Sequence, residues 1–265
     1  MAEPLYEIYA VKYAHHDRRA AENFIGGDPH DVSMPLDYFI WVIKGAGRAW
    51  VLDTGFDAAM AKRRKRDFIA DPGEKLRAIG VDAGRVEDVI ISHMHYDHCG
   101  NYALFPNARF HLQEREMHYC TGRCMCFPAM RMPFEADDVA QMVRRVHEGK
   151  VQFHDGDSEV APGITLHLVG GHTIGLQFAR VRTKRGWVVL ASDASHLYAN
   201  MEQGRPFPIV YNVADMLAGH ARCYALASSR AHVIPGHDPL VLKRYPAAAP
   251  GLEGSVVRLD VEPRG

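Results

Sequence analysis

Ser92-His93-Met94-His95-Tyr96-Asp97-His98-Cys99-Gly100 packs three histidines and an aspartate into six consecutive positions, 93–98. Neutral imidazoles and a carboxylate are the ligands a borderline-soft divalent ion such as zinc takes. The apolar run Val89-Ile90-Ile91 just before them reads as a buried strand. Alternate side chains of a strand share a face, so His93 and His95 are expected to grip one ion together. The chain must turn after Tyr96. Asp97 and His98 then face the same space from the other side, which suggests a second ion. Four ligand-type residues at this spacing beside a buried strand rarely arise by chance.

Three later apolar stretches end in the same way. Residues 164–169 run into Gly170-Gly171-His172-Thr173. Residues 187–191 run into Ser192-Asp193-Ala194-Ser195-His196, and residues 231–234 into Pro235-Gly236-His237-Asp238. Strand ends along one edge of a sheet are where a site is assembled from distant parts of a chain. Asp53-Thr54-Gly55 also follows an apolar stretch. Its carboxylate suits a tight turn, capping backbone groups, and could support metal ligands from behind.

The elements that must carry these residues alternate. Residues 5–13 read as a strand. The stretch 13–37, broken by Gly26, Gly27, Pro29 and Pro35, is a long loop of the functional kind; its His15, His16 and His30 read as surface residues. A hairpin over 37–51 turns at Gly45-Ala46-Gly47. A helix is expected over 56–69, with Lys62-Arg63-Arg64-Lys65-Arg66 as a solvated basic face, and a short one over 74–79 ended by Gly80. A short helix at 100–104 and a strand at 108–112 complete a strand–helix–strand rhythm that predicts α/β layering. An insert, 117–150, flanks the site. Its Met-, Phe- and Tyr-rich part, 117–134, suits an adaptable apolar wall beside a pocket. Cys120, Cys124 and Cys126 lie within it at a spacing that matches no common zinc knuckle. Residues 135–148 form an amphipathic helix with Val139, Met142, Val143 and Val146 on one face. A helix is expected over 211–227, and the tail from Pro246 reads as a loosely packed end. No linker or repeat divides the chain, so 1–265 is expected to be a single domain.

Bulk composition narrows the partners. The chain has 265 residues and a net charge of −1, which argues against nucleic acid or an acidic membrane as the main partner. No apolar run approaches a membrane span. Met1-Ala2-Glu3-Pro4-Leu5 lacks a basic region followed by an apolar core, so no signal peptide is expected. Five cysteines fit a reducing cytoplasm better than a disulfide framework, and 16 histidines lean toward a metal site.

His-Met-His-Tyr-Asp-His, Gly-Gly-His-Thr-Ile-Gly, Ser-Asp-Ala-Ser and Pro-Gly-His-Asp, with the early Asp-Thr-Gly turn, resemble the metallo-β-lactamase superfamily over roughly residues 37–240. The resemblance implies an α/β fold, the four-layer αββα sandwich, and a two-metal hydrolytic site. It assigns His93, His95 and His172 to the first metal, Asp97, His98 and His237 to the second, and Asp193 as the bridge. It implies two zinc ions (iron, manganese and cobalt share the ligand set) and a bridging hydroxide as nucleophile. Members that hydrolyse β-lactam antibiotics lack the bridging aspartate, and the diiron flavoprotein branch carries an acidic residue where His95 stands.

Within the family, the interval from His172 to Asp193 and the Asp-Ala-Ser stretch are similar to N-acyl-homoserine lactonases and 4-pyridoxolactonase. Those enzymes usually carry a tyrosine three residues after the bridging aspartate. Here that position is His196, with Tyr198 two further on. The candidate catalytic residues are therefore Asp97, His196 and Tyr198. The reading that follows is a cytoplasmic hydrolase of a small lactone, N-acyl-homoserine lactone first. A glyoxalase II-like thioesterase, or a hydrolase of another small cyclic ester or amide, is the alternative. A homodimer is the one protein–protein partnership allowed for.

Overall fold

β-branched and aromatic residues alternate along the first strands and set the layers. The structure is a computed structural model that describes residues 4–264. β1 (Glu7–His16), β2 (Leu36–Gly45) and β3 (Arg48–Leu52) form an antiparallel meander. The β2–β3 turn places Ala46 and Gly47 at φ 50° and 77°, the geometry that matches the twist of a two-residue hairpin. α1 (Ala58–Arg64), β4 (Asp67–Phe68) and α2 (Pro72–Ala78) lead to β5 (Asp88–Ile90) and α3 (Tyr96–Cys99). Then come β6 (Arg109–Gln113), α4 (Glu114–Thr121), α5 (Pro128–Arg131), α6 (Ala136–His147) and β7 (Val151–His154). The later part comprises β8 (Ser158–Ala161), β9 (Ile164–Leu168), β10 (Gln177–Thr183), β11 (Gly186–Ser192), α7 (Tyr198–Glu202) and α8 (Val213–Leu226). β12 (Val233–Pro235), α9 (Leu240–Arg244) and β13 (Val256–Arg258) follow.

The strands form two sheets. One is 8-stranded in the order β13-β1-β2-β3-β5-β6-β7, with β4 paired to β1; the other is 5-stranded in the order β12-β11-β10-β9-β8. Period-2 alternation on β2 explains the stacking. Phe39, Trp41 and Ile43 face the second sheet, where they meet Leu166, Val181 and Leu190. Tyr38, Ile40 and Val42 face the other way, onto Met60 of α1, Leu76 of α2 and Met142 of α6. The outer face of the second sheet packs Phe178 and Val189 against Met201 of α7 and Cys223 of α8. This is the expected four-layer αββα arrangement. Each fully buried Ile or Phe contributes roughly 1.5–3 kcal/mol, and this double core supports an edge made of polar groups.

Several local expectations are corrected. The helix expected over 56–69 stops at Arg64, where Lys65 turns left-handed at φ 55°. Asp67 and Phe68 then pair with β1 instead. The tail is not loose: β13 pairs with β1, and Val256, Val257 and Leu259 are buried. Edge strand β8 and helix α7 are additional elements, too short or too polar for a periodic signal. All five cysteines are free thiols. Among the described residues no helix is long and apolar enough to cross a membrane.

A small histidine chain sits away from the histidine and aspartate motifs. His111 Nε2 lies 2.9 Å from Asp88 Oδ1 and its Nδ1 3.0 Å from His154 Nε2. Burial pushes the half-buried His154 down to about 4 from 6.5, with His111 and Arg109 adding to it. The unfolded chain therefore binds this proton more readily than the folded one between those two values, and stability rises with pH across that window. Stability should fall as pH drops from 6.5 to about 4. His154→Gln keeps a hydrogen-bonding group and should flatten that slope. Urea midpoints measured across the window check it, and an unchanged slope would refute it.

Candidate metal centre and its cleft

Every motif residue arrives at one edge of the sandwich. β5 ends at Ile90, and His93 and His95 lie on the segment after it rather than within the strand. Asp97 and His98 occupy the first turn of α3. The two sheets are stitched here by buried Gln177, whose Nε2 donates to the Ile91 carbonyl at 2.8 Å and whose backbone N–H donates to Ser92 O at 3.0 Å. β11 and β12 deliver Asp193 and His237 side by side: the His237 N–H donates to the His196 carbonyl at 2.9 Å. Gly236 is required by close approach, because a Cβ there would stand 2.7 Å from Asp193 Oδ1. Gly171, at φ +86°, both turns the chain and clears the backbone of Met216, 2.6 Å from where a Cβ would lie.

Outer nitrogens orient the imidazoles. His172 Nδ1 donates to Ile209 O at 2.6 Å, and His237 Nδ1 to Asp37 O at 2.9 Å. His98 Nδ1 meets Asp53 Oδ2 at 2.7 Å, and His93 Nδ1 meets Ser92 Oγ at 3.0 Å. A ring that gives up its Nδ1–H keeps Nε2 as a lone pair. His95 presents Nδ1 instead, 2.8 Å from His172 Nε2, with His93 Nε2 3.1 Å from the same atom. Asp193 Oδ2 lies 3.3 Å from His172 Nε2 and 3.9 Å from His93 Nε2. On the other side, Asp193 Oδ1 is 3.0 Å from His237 Nε2 and 3.4 Å from His98 Nε2. Asp97 Oδ2 is 3.7 and 3.6 Å from the same two nitrogens.

These atoms form two donor sets that share Asp193. Lone pairs held this close repel unless a cation lies among them. A tetrahedral ion with ~2.1 Å bonds has donor–donor edges of roughly 3.4 Å, and the observed spacings bracket that value. His98 Nε2 and Asp193 Oδ1 are buried without any hydrogen-bond partner. The cluster fits divalent metal on both counts.

Electrostatics divide the cluster. Burial, with the neighbouring imidazoles adding to it, holds His93 and His95 well below the usual histidine range. Burial likewise pushes His172 down to about 4. These three are neutral imidazoles, the form that can offer a lone pair to a metal ion. Burial also opposes charge on His98 and His237, but Asp193 and Asp97 overcome it and raise both. Burial opposes the Asp193 carboxylate as well, yet His237, His98 and His196 hold it well below the usual range.

Behind the ligands stand two carboxylates. Asp53, at φ 65°, accepts from Ser92 N at 2.7 Å and Ser92 Oγ at 2.9 Å while holding His98. This is the supporting role expected of the early aspartate turn. Glu116 gave no signal in the sequence. It is fully buried on α4 and accepts from Met94 N at 2.9 Å, Thr173 Oγ1 at 2.6 Å and Gly175 N at 3.0 Å. It thus ties the His93–His95 segment to the His172 loop.

A cleft of about 310 Å³ opens onto the cluster. A larger one, about 700 Å³, lies at the other end of β2 around Gly45 and Arg48, and holds none of the histidines. His196 lines the smaller cleft, stacked on Phe207 at 3.4 Å and 8°. Its Nε2 is 2.9 Å from Asp193 Oδ2, and its Nδ1 is buried without a partner. Tyr198 does not join it. α7 begins at Tyr198 and rotates the ring into the sandwich core, under the Arg244 guanidinium at 3.9 Å. The hydroxyls of the cleft come instead from Tyr38 and Tyr96, 3.3 Å apart. The expected apolar wall reaches the cleft only at Met132 and Pro133, with Phe134 against the His95 ring at 4.5 Å. Cys120, Cys124 and Cys126 join no ligand cluster among the described residues. The loop expected over 13–37 begins later, because β1 runs to His16; His16 lines the cleft rather than the surface, whereas His30 is exposed as expected.

Residues 34–211 match the metallo-beta-lactamase superfamily, and the chain belongs to that family. Its sequence is 28% identical over 133 residues to an N-acyl homoserine lactonase of Bacillus thuringiensis, covering 50% of this chain and 48% of that one. It is 26% identical over 178 residues to N-acyl homoserine lactonase AttM of Azorhizobium caulinodans, covering 62% and 63%. The matched region thus spans about half the length of the Bacillus relative. Among solved structures, a quorum-quenching N-acyl homoserine lactone lactonase superposes with a TM-score of 0.72 at 20% identity, over 90% of this chain and 94% of that one.

Proposed function

We propose that the protein is a dinuclear metal-dependent hydrolase that opens a lactone ring. The observation that carries this reading is the pair of donor sets joined through Asp193, open to a cleft of small-molecule size. His93, His95 and His172 would hold one ion, Asp97, His98 and His237 the other, and Asp193 would join both, with zinc the first candidate. When bound, the ions would supply an activated water and a Lewis acid for the ester carbonyl. N-acyl-homoserine lactone is the first candidate substrate, supported by the relatives.

The chain's own residues do the rest. The reaction adds water across the ring ester: a C–O bond forms at the carbonyl carbon, the ring C–O bond breaks, and the departing oxygen leaves as a hydroxyl. A proton must travel from the water to that oxygen. With Nε2–H given to Asp193, His196 at the cleft keeps a lone pair on its buried, unpartnered Nδ1, the group assigned here to hold that proton. Burial pushes the Tyr38 hydroxyl well above its usual range, so it stays a donor at the cleft wall.

Ring opening followed by proton release, on a panel of acyl-homoserine and simple γ-lactones with zinc-loaded protein, tests the reading. Thioesters serve as the control class, and no turnover of any lactone with metal bound would reject it. His196→Phe keeps the stack on Phe207. It should lower kcat by roughly 10²-fold with metal content unchanged; loss of metal would make His196 a ligand instead.

A further inference from the structure

Two arginines on the cleft wall have no use in the chemistry described so far. The early end of α1 brings Arg66 off the helix surface and into the cleft. Its Nε donates to the Tyr96 hydroxyl at 3.1 Å and its Nη1 to Arg64 O at 2.7 Å, while Nη2 makes no hydrogen bond among the described residues. No carboxylate among the described residues lies within ion-pair distance of it. Arg18, from the long loop before β2, is 15% exposed, and its one carboxylate neighbour, Glu22, stands 3.9 Å off and is 54% exposed. Arg64 is the contrast: Glu135 meets it at 2.6 Å, so its charge is answered within the protein.

A half-buried guanidinium gives up hydration, and here the return is partial: Arg18 has only Glu22, through its carbonyl at 2.6 Å and its exposed carboxylate at 3.9 Å, while Arg66 has neutral oxygens and the field of Asp97. Two of them lining one small cleft is an arrangement completed by an anion. His16 reports their field. It lines the same cleft and is pushed down to about 4 by burial, with Arg66 and Arg18 adding to it. The Tyr96 hydroxyl, which accepts from Arg66, has its own proton to give. The apolar lining is Leu36, Met132, Pro133 and Ile209, with the rings of Tyr38 and Tyr96.

We propose that Arg66 and Arg18, with the Tyr96 hydroxyl, form a carboxylate-recognition subsite, so that the preferred substrate is a small lactone bearing a carboxylate rather than one with a long neutral acyl chain. This rests on the lactone reading above and narrows its substrate class. The carboxylate would accept from Arg66 Nη2 and from the tyrosine, with Arg18 across the cleft. The lactone ring would then occupy the part of the same cleft lined by His95, His172, Asp193 and His237.

The test uses a γ-butyrolactone carrying a carboxylate beside the ring oxygen and its neutral primary carboxamide. It also uses the corresponding tetrahydrofurans, which cannot be hydrolysed. With zinc-loaded wild-type protein, kcat/KM for the carboxylate should exceed that for the carboxamide at least ~10-fold, carried by KM. Calorimetry should show the same preference for the inert carboxylate. Arg66→Gln should bring both ratios toward unity. Arg18→Gln, which hydrogen-bonds neither tyrosine, should lower them in part, and Arg66→Lys should restore part of the loss. Metal content and circular dichroism confirm that each variant folds. Equal handling of the two probes by wild type, or an undiminished preference in both glutamine variants, would overturn the subsite. If neither lactone is opened while the inert carboxylate still binds in an Arg66-dependent way, the subsite stands and the lactone reading falls.

Discussion

Asp193→Ala should leave less than one tightly bound metal ion per chain and reduce kcat/KM by ~10³-fold or more. Both oxygens of Asp193 are committed. Oδ1 faces His237 and His98, while Oδ2 faces His172, His93 and His196. Alanine removes a ligand from each donor set at once. The metal-free fold should persist, because His98 and His237, raised by Asp193 and Asp97, can shed their protons once the Asp193 carboxylate is gone and so leave no uncompensated buried charge. A variant that has merely lost its fold is thus separable from one that has lost its site. The metal-free variant should melt near the wild type, whereas the stabilisation that zinc confers on the wild type should vanish. Elemental analysis and paired melts with and without zinc make the check. Undiminished turnover with two ions bound would remove Asp193 from its bridging role.

The second large effect is expected at Asp53. Asp53→Asn preserves shape, and asparagine tolerates the left-handed backbone at φ 65°. It changes the hydrogen-bond polarity. Asp53 accepts hydrogen bonds from Ser92 N, Ser92 Oγ and His98 Nδ1, with Ser192 Oγ a longer fourth donor at 3.4 Å. An amide offers one accepting oxygen and places N–H groups where the other oxygen was. If the amide nitrogen faces His98, the ring must accept at Nδ1 and carry its proton on Nε2, which closes the lone pair meant for metal. If it faces Ser92, a buried backbone N–H loses its acceptor. Either way, affinity at the His98–His237 side should drop roughly 10- to 100-fold, while the His93–His95–His172 side is kept. Stepwise zinc titration should show one site weakened and one retained. Two unaltered affinities would mean that Asp53 only caps the turn.

Much of the site was legible because its residues are local in chain and chemically specific. The spacing in 93–98 and the strand-end positions of His172, Asp193 and His237 needed no coordinates, since few structural roles call for such residues at such places. Their convergence follows from the edge where β5, β9, β11 and β12 all end. The family pattern also covered the four-layer stacking. Helix limits were less legible. The basic run at 62–66 read as one solvated face because helical periodicity continues through Arg66, whereas the pairing of Asp67 and Phe68 with β1 ends the helix two residues earlier.

Tyr198 and Glu116 mark the same boundary from opposite sides. Tyr198 stood at a plausible interval after Asp193, yet the start of α7 turns it into the core. Glu116 looks like an ordinary acidic residue in the first turn of a helix, and only packing shows it joining two ligand loops. The sequence by itself determined the candidate ligand types, their order and the alternation of strands and helices, because those depend on local chemistry and on periods of two and of 3.6 residues; the four-layer stacking came with the family resemblance. Tertiary structure alone decided which tyrosines, arginines and buried carboxylates surround the metal cluster. Those contacts join positions far apart in the chain, where no local pattern records which side chains will meet.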